Sequence, residues 1–144
     1  MSDEADTLDK LNKMLDHNKV ISVAEIGLDY YYDTAPKELQ KRWFELQLDI
    51  SEEKKIPVCI HDRDAHGDVL EILKRHKNAR GMLHSFSGSC EMAEELLKND
   101  WYISISGVVT FKNARKIVEV VEMLPLEKML IETDTPYLSP VPNR

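Results

Sequence analysis

At 144 residues, with 42% hydrophobic and 31% charged residues, the chain has the length and composition of one globular domain with a real core. No apolar run reaches the roughly 18 residues of a membrane span, and the acidic start Ser2-Asp3-Glu4-Ala5-Asp6 lacks the apolar stretch of a signal peptide. A formal charge of −7 excludes a protein that coats nucleic acid by charge alone, but not one that handles phosphodiesters through bound metal. Cys59 and Cys90 form no C-x-x-C pattern and read as reduced thiols of a cytoplasmic protein.

Leu8, Leu11 and Leu15 recur at helical steps and predict a helix over residues 5–17. The apolar run Val20–Ala24 predicts a strand buried on both faces, which delivers Glu25 at its C-terminal mouth. Residues 33–36 read as a turn opening a second helix, with Leu39, Trp43, Leu46 and Ile50 as its apolar stripe. Ile56–Ile60 is a second strand ending at His61, followed by a helix over 68–76. A short strand, Gly81–Leu83, ends at His84, and Ser87 or Ser89 is placed to cap the helix from Glu91. Residues 101–107 predict a fourth strand ending in Ser106 and Gly107. Residues 108–112 read as a loop, followed by a helix carrying Ile117, Val118, Val121 and Leu124. Lys128–Ile131 is the last strand, ending at Glu132-Thr133-Asp134, and the proline-rich tail 135–144 is loop.

Alternating strands and helices imply an α/β fold with a parallel sheet and right-handed crossovers over a single domain, 1–144. Five strands suit an open doubly wound sheet. They are too few for a closed (β/α) barrel, which needs eight strands and about 250 residues. No Gly-rich nucleotide-binding loop is present.

Parallel strands bring their C-terminal ends to one rim, so Glu25, His61, His84 and Asp134 are expected to converge. Two imidazoles and two carboxylates are an N/O donor set suited to Zn²⁺, Mn²⁺ or Mg²⁺, and a carboxylate between two ions is the device of two-metal hydrolases. Arg63, two residues past His61, reads either as a bidentate phosphate ligand or as a surface arginine paired with Asp62 or Asp64. Tyr30 and Phe86 read either as stacking residues for a base or sugar or as packing of the rim. His66 and His76 read as surface residues, and Cys59 as a core residue pointing away from the rim.

Glu-Ile-Gly-Leu-Asp-Tyr at 25–30, Ile-His-Asp-Arg at 60–63, Leu-His-Ser-Phe-Ser-Gly at 83–88, Ile-Ser-Ile-Ser-Gly at 103–107 and Glu-Thr-Asp-Thr-Pro-Tyr-Leu at 132–138 resemble the TatD family of metal-dependent deoxyribonucleases. The motifs span the chain in the family's order. The resemblance implies a (β/α) barrel of TIM type, with about five of its eight strands, numbers 4 to 8, in this chain. It implies a divalent-metal site (Mg, Mn or Zn, with two ions in a complete member) that hydrolyses DNA phosphodiesters, as an exonuclease acting on DNA ends. It further implies that Glu25 bridges or anchors the metals and that His61 and His84 bind one ion. Asp134 then binds the other and orients the attacking water, with Glu132 and Arg63 in support. Alanine at position 24 replaces the family's usual glycine.

The family's His-x-His pair is missing, for the histidines are His17, His61, His66, His76 and His84. The resemblance therefore implies a fragment truncated at both ends, weakly active or inactive alone, with DNA as substrate, no membrane and no stable protein partner. Its open barrel edges are expected to promote self-association. The alternatives are an amide or ester hydrolase of the same superfamily and a non-catalytic truncated product.

Overall fold

The computed structural model describes residues 2–32 and 34–143. Met1, Asp33 of the predicted turn and Arg144 of the predicted tail lie outside the described residues. Helix α1 (Ser2–Leu15) leads into β1 (Val23–Asp29), α2 (Lys37–Lys54), β2 (Val58–Arg63), α3 (His66–Arg75) and β3 (Gly81–Leu83). The chain continues with α4 (Cys90–Lys98), β4 (Tyr102–Ile105), α5 (Arg115–Met123) and β5 (Met129–Ile131). Residues 107–110 form a short 3-10 turn, which takes in Gly107, expected in the fourth strand, and the start of the expected loop 108–112; Ser89 caps α4 by accepting the Met92 N–H at 3.3 Å.

All five strands are parallel and stand in the order β1-β2-β3-β4-β5. A doubly wound sheet reverses its strand order at a switch point. An unreversed order with right-handed crossovers keeps every helix on one face, which is the wall of a (β/α) barrel. Leu28, Ile60, Leu83 and Ile103 point to that face and are fully buried with Phe44, Leu48, Val69 and Leu96. This layer is the core.

The register between β1 and β2 slips between Val23 and Ile26. A bulge of this kind re-aims a side chain, and the residue carried in it is Glu25. Glu25 thus lies inside β1, not at the strand's end as expected, and His61 likewise lies inside β2. Asp29 takes the terminal position. Gly27, with φ +138°, runs so close to β2 that a Cβ there would meet the His61 carbonyl oxygen at 2.0 Å. The glycine between the two acidic residues is a condition for the strands to approach at the rim.

Helix α2 buries Phe44, Leu48, Ile50 and Ser51; of the expected stripe Ile50 is buried, Trp43 and Leu46 are half-buried and Leu39 is exposed. The two stripes are adjacent on one helix, and its seat on β1 selects between them. Ser51 tolerates burial because its hydroxyl donates to the Ile56 carbonyl at 3.0 Å. On α5 the burial falls on Ile117, Val120 and Leu124, with Val118 outward.

Among the described residues, no layer covers the other sheet face. Ile21, Cys59, Met82, Tyr102 and Leu130 line a shallow apolar depression there, and Ile131 on the edge strand is 87% exposed. An uncovered apolar face beside an unpaired strand edge favours association. Gel filtration is expected to show concentration-dependent self-association that Leu130→Asp reduces. Gly27→Ala is expected to destabilise the chain by about 2 kcal/mol or more in urea titrations, because the added carbon overlaps backbone that cannot move.

Candidate metal centre

The sequential parallel sheet places the donors of different strands on one rim. Single ligand atoms of Glu25, His61 and His84 lie within 4.8 Å of one another, as do those of His84, Glu132 and Asp134. His84 belongs to both groups. Its Nε2 is 3.3 Å from Asp134 Oδ1 and 3.6 Å from Glu25 Oε1, while its Nδ1–H donates to Glu132 Oε2 at 2.6 Å. Glu132 is held in turn by its backbone N–H, which donates to the Ile105 carbonyl at 3.1 Å.

His61 is oriented in the same manner. Its Nε2 pairs with Asp29 Oδ2 at 3.0 Å, which leaves Nδ1 for another partner. Asp29 also accepts the N–H groups of Tyr31 and Tyr32, both at 2.9 Å, on Oδ1. Partial burial raises the Asp29 pKa, but these hydrogen bonds outweigh it and hold the carboxyl below its ordinary range. Carboxylate–histidine pairs of this kind fix the ring and tautomer of a metal-binding histidine.

The donor set fits a cation. Among the described residues, no lysine or arginine lies in ion-pair range of Glu25, Asp29, Glu132 or Asp134. His84 Nε2 faces two carboxylate oxygens, and when the ring carries its single proton on Nδ1, toward Glu132, it meets them with a lone pair. That arrangement is repulsive until a positive charge lies between them. Glu132 Oε1 is buried without a hydrogen-bond partner, a further uncompensated oxygen at the same place.

The family model for TatD-related DNases matches residues 1–144. The chain belongs to this family. Among curated relatives, it is 46% identical over 130 residues to the uncharacterized metal-dependent hydrolase YabD of Bacillus subtilis, covering 89% of this chain and 51% of that protein. It is 40% identical over 139 residues to the uncharacterized metal-dependent hydrolase YcfH of Escherichia coli K12, covering 95% and 52%. The crystal structure of YjjV, a TatD homologue from Escherichia coli K12, superposes with a TM-score of 0.84 at 34% identity, covering 91% of this chain and 52% of that one. This TatD-family chain spans about half the length of the relatives it matches. No helix among the described residues is long and apolar enough to cross a membrane.

Two readings stood open for each of three other residues of this TatD-family chain, Arg63, Tyr30 and Phe86. Arg63 pairs with neither Asp62 nor Asp64; its guanidinium lies 4.0 Å from the Tyr31 ring centroid and 5.1 Å from that of Tyr32. It lines a cavity of about 210 Å³ together with His61, His84 and Asp134. The Tyr30 O–H donates to Asp68 at 2.5 Å, Lys41 closes the group at 2.8 Å from Asp68, and Lys37 Nζ lies 4.2 Å over the Tyr30 ring. Burial, then the Asp68 carboxylate, pushes its phenol up to about 12. Phe86 is 6% exposed and forms cavity wall.

Cys59 does not point away from the site. It shares the His61 side of β2, and burial, aided by the charges of Glu25 and Glu132, pushes its thiol up to about 11. His76 is largely covered, at 3.6 Å from Asp49 and 3.9 Å from Glu52 on α2. His66 opens α3 and pairs with the buried Asp62 at 2.8 Å. The reading of residues in isolation missed Asp29, whose signal was an acid two residues past the close-approach glycine.

The Asp62 hydrogen bond, against the opposing effect of burial, holds the His66 pKa above its ordinary 6.5. A raised folded-state value means that this pair's stabilisation is complete below pH 6.5 and fades as pH rises through the folded value. An NMR titration of the His66 ring is expected to give a midpoint above 6.5, with the urea midpoint falling across the same window. His66→Gln is expected to flatten that fall; an unshifted His66 midpoint contradicts it.

Proposed function

We propose that this chain carries part of the active site of a divalent-metal-dependent hydrolase that cleaves DNA phosphodiester bonds, at strand ends. The observation that carries the reading is a rim of two oriented imidazoles and uncompensated carboxylates beside an arginine without a carboxylate partner among the described residues.

Glu25, His61, His84 and Asp134 would hold divalent metal, Mg²⁺, Mn²⁺ or Zn²⁺, with Glu132 and Asp29 fixing the imidazoles. Bound there, such ions lower the pKa of water and stabilise charge on a phosphoryl oxygen. Asp134 orients the attacking water and takes its proton. Arg63 offers parallel N–H donors to the non-bridging phosphate oxygens, geometry that matches a phosphate bidentately. The cavity that both residues line admits the scissile group from solvent. The chain has no His-x-His pair, so it supplies only part of a two-ion donor set, and its own turnover is slow. The unbridged Cys59 and Cys90 support a reducing, cytoplasmic setting.

Calorimetric titration with Mn²⁺ is expected to show binding that His84→Ala abolishes and that Glu132→Gln weakens about 10- to 100-fold with helix content unchanged. Incubated with Mn²⁺ and an end-labelled single-stranded oligonucleotide, the chain is expected to cleave slowly, and EDTA or Asp134→Asn to stop it. Absence of metal binding refutes the centre. Turnover of amide or ester substrates with none on DNA moves the reading to an amide or ester hydrolase of the same superfamily.

A further inference from the structure

At the end of the sheet opposite the rim, α2 and the turn after α3 bring three further donors together. Asp49 and Glu52 stand three residues apart on α2, which puts them on one face of the helix. His76 directly follows α3. Single ligand atoms of the three side chains lie within 4.8 Å of one another. Helices that follow parallel strands run back toward the strands' starts, so this cluster shares no residue with the rim.

Two of the three donors are held before any ligand arrives. Glu52 Oε1 accepts the Asn78 and Ala79 N–H groups at 3.0 and 2.9 Å, which leaves Oε2 toward His76. The His76 backbone is fixed on both sides. Its N–H donates to the Ile72 carbonyl at 3.3 Å, and its carbonyl accepts the Ala79 N–H at 3.2 Å. The His76 side chain is only 11% exposed, whereas that of Asp49 is 67% exposed and keeps the cluster open to solvent.

The ring is thus buried against carboxylates that it does not bond. His76 Nδ1 is 3.6 Å from Asp49 Oδ1 and 3.9 Å from Glu52 Oε2, beyond the roughly 2.7–3.2 Å of an N–H···O bond. Among the described residues no hydrogen-bond partner reaches this ring, and no lysine or arginine lies in ion-pair range of Asp49 or Glu52. Zinc holds imidazole nitrogen and carboxylate oxygen at about 2.0–2.2 Å in a tetrahedron, whose corners are then about 3.4 Å apart. The observed separations are those of donors around an ion, slightly open, and not of groups bonded to each other. Three protein donors leave the fourth corner to water, on the side that Asp49 opens.

We propose that Asp49, Glu52 and His76 form a second divalent-metal site, suited to Zn²⁺, which ties the C-terminal end of α2 to the turn after α3. One imidazole nitrogen and two carboxylate oxygens are a borderline set that zinc accepts; Mg²⁺ demands octahedral oxygen and gives up its water reluctantly. The site does not rest on the reading of the rim, and its role is structural. An ion there joins two helices through three side chains and stabilises the folded chain by mass action. Affinity of such donors rises from Mn²⁺ to Zn²⁺, so zinc fills a three-donor set that Mn²⁺ leaves empty.

Zn²⁺ alone is the probe, titrated by calorimetry into the whole chain and its variants, with circular dichroism checking the fold of each. The His84→Ala chain, whose rim is disabled, is expected still to bind one Zn²⁺ and to melt at a higher temperature with it. In that background, Asp49→Ala and His76→Gln are each expected to weaken this binding at least about tenfold and to remove the zinc-dependent rise in melting temperature. Glu53→Ala, which removes an exposed acid of the same helix outside the cluster, is expected to change neither. Asp49 is exposed enough for its loss to leave the fold intact, so a His76 variant that fails to fold does not end the test. The site is overturned if the His84→Ala chain binds no zinc, in which case the cluster is an ion pair of protonated His76. Binding that Asp49→Ala leaves unchanged, or that Glu53→Ala weakens equally, overturns it as well.

Discussion

Negative charge collected without a cationic side chain is the condition on which this molecule turns. Glu25, Glu132 and Asp134 approach the His84 ring from both of its nitrogens, and Asp29 fixes His61. A surface cluster of this kind would ordinarily recruit a lysine or arginine, and the sequence has 19 of them. Several of them pair elsewhere on the surface, as in Lys13–Asp9, Arg75–Glu71 and Arg115–Glu119. Exposed pairs of that sort contribute little to stability. The rim, where a counter-charge would contribute most, is left to a ligand.

The sheet makes that collection possible through backbone. Five parallel strands in sequential order align their ends, but the β1 acid Glu25 lies inside its strand and not at its end. The slip in register between Val23 and Ile26 changes where Glu25 points, and Gly27 lets β1 run close to the His61 carbonyl. A second glycine, Gly81 with φ +154°, repeats the device between β3 and Val58 of β2. The rim therefore depends on Gly27, and the sheet beneath it on Gly81, two positions that carry no chemistry of their own.

What could be read from residues alone follows from which forces are local. The order of helices and strands rests on short-range periodicity, and each predicted element has a counterpart. Strand ends that coincide with the end of an apolar run, as at His84 and Glu132, were placed well for the same reason. Glu25 and His61 were set at strand ends but lie inside β1 and β2, because a strand's extent is decided by its neighbour's hydrogen bonds. Which stripe of α2 is buried depends on how the helix seats on the sheet, and so Phe44 and Leu48 were passed over for Leu39 and Trp43. The same limit explains the tyrosines. Three in succession look equivalent in sequence, yet Asp68 on α3 captures Tyr30 and leaves Tyr31 and Tyr32 to solvent.

Asp29 ties these observations together. One carboxylate oxygen receives His61 and the other receives the turn that bears Tyr31 and Tyr32. A single rigid group therefore links an imidazole at the rim to the exposed rings, and neither can shift without straining the other's hydrogen bonds. The geometry of the rim therefore depends on a turn outside it, through one carboxylate whose two oxygens serve different elements.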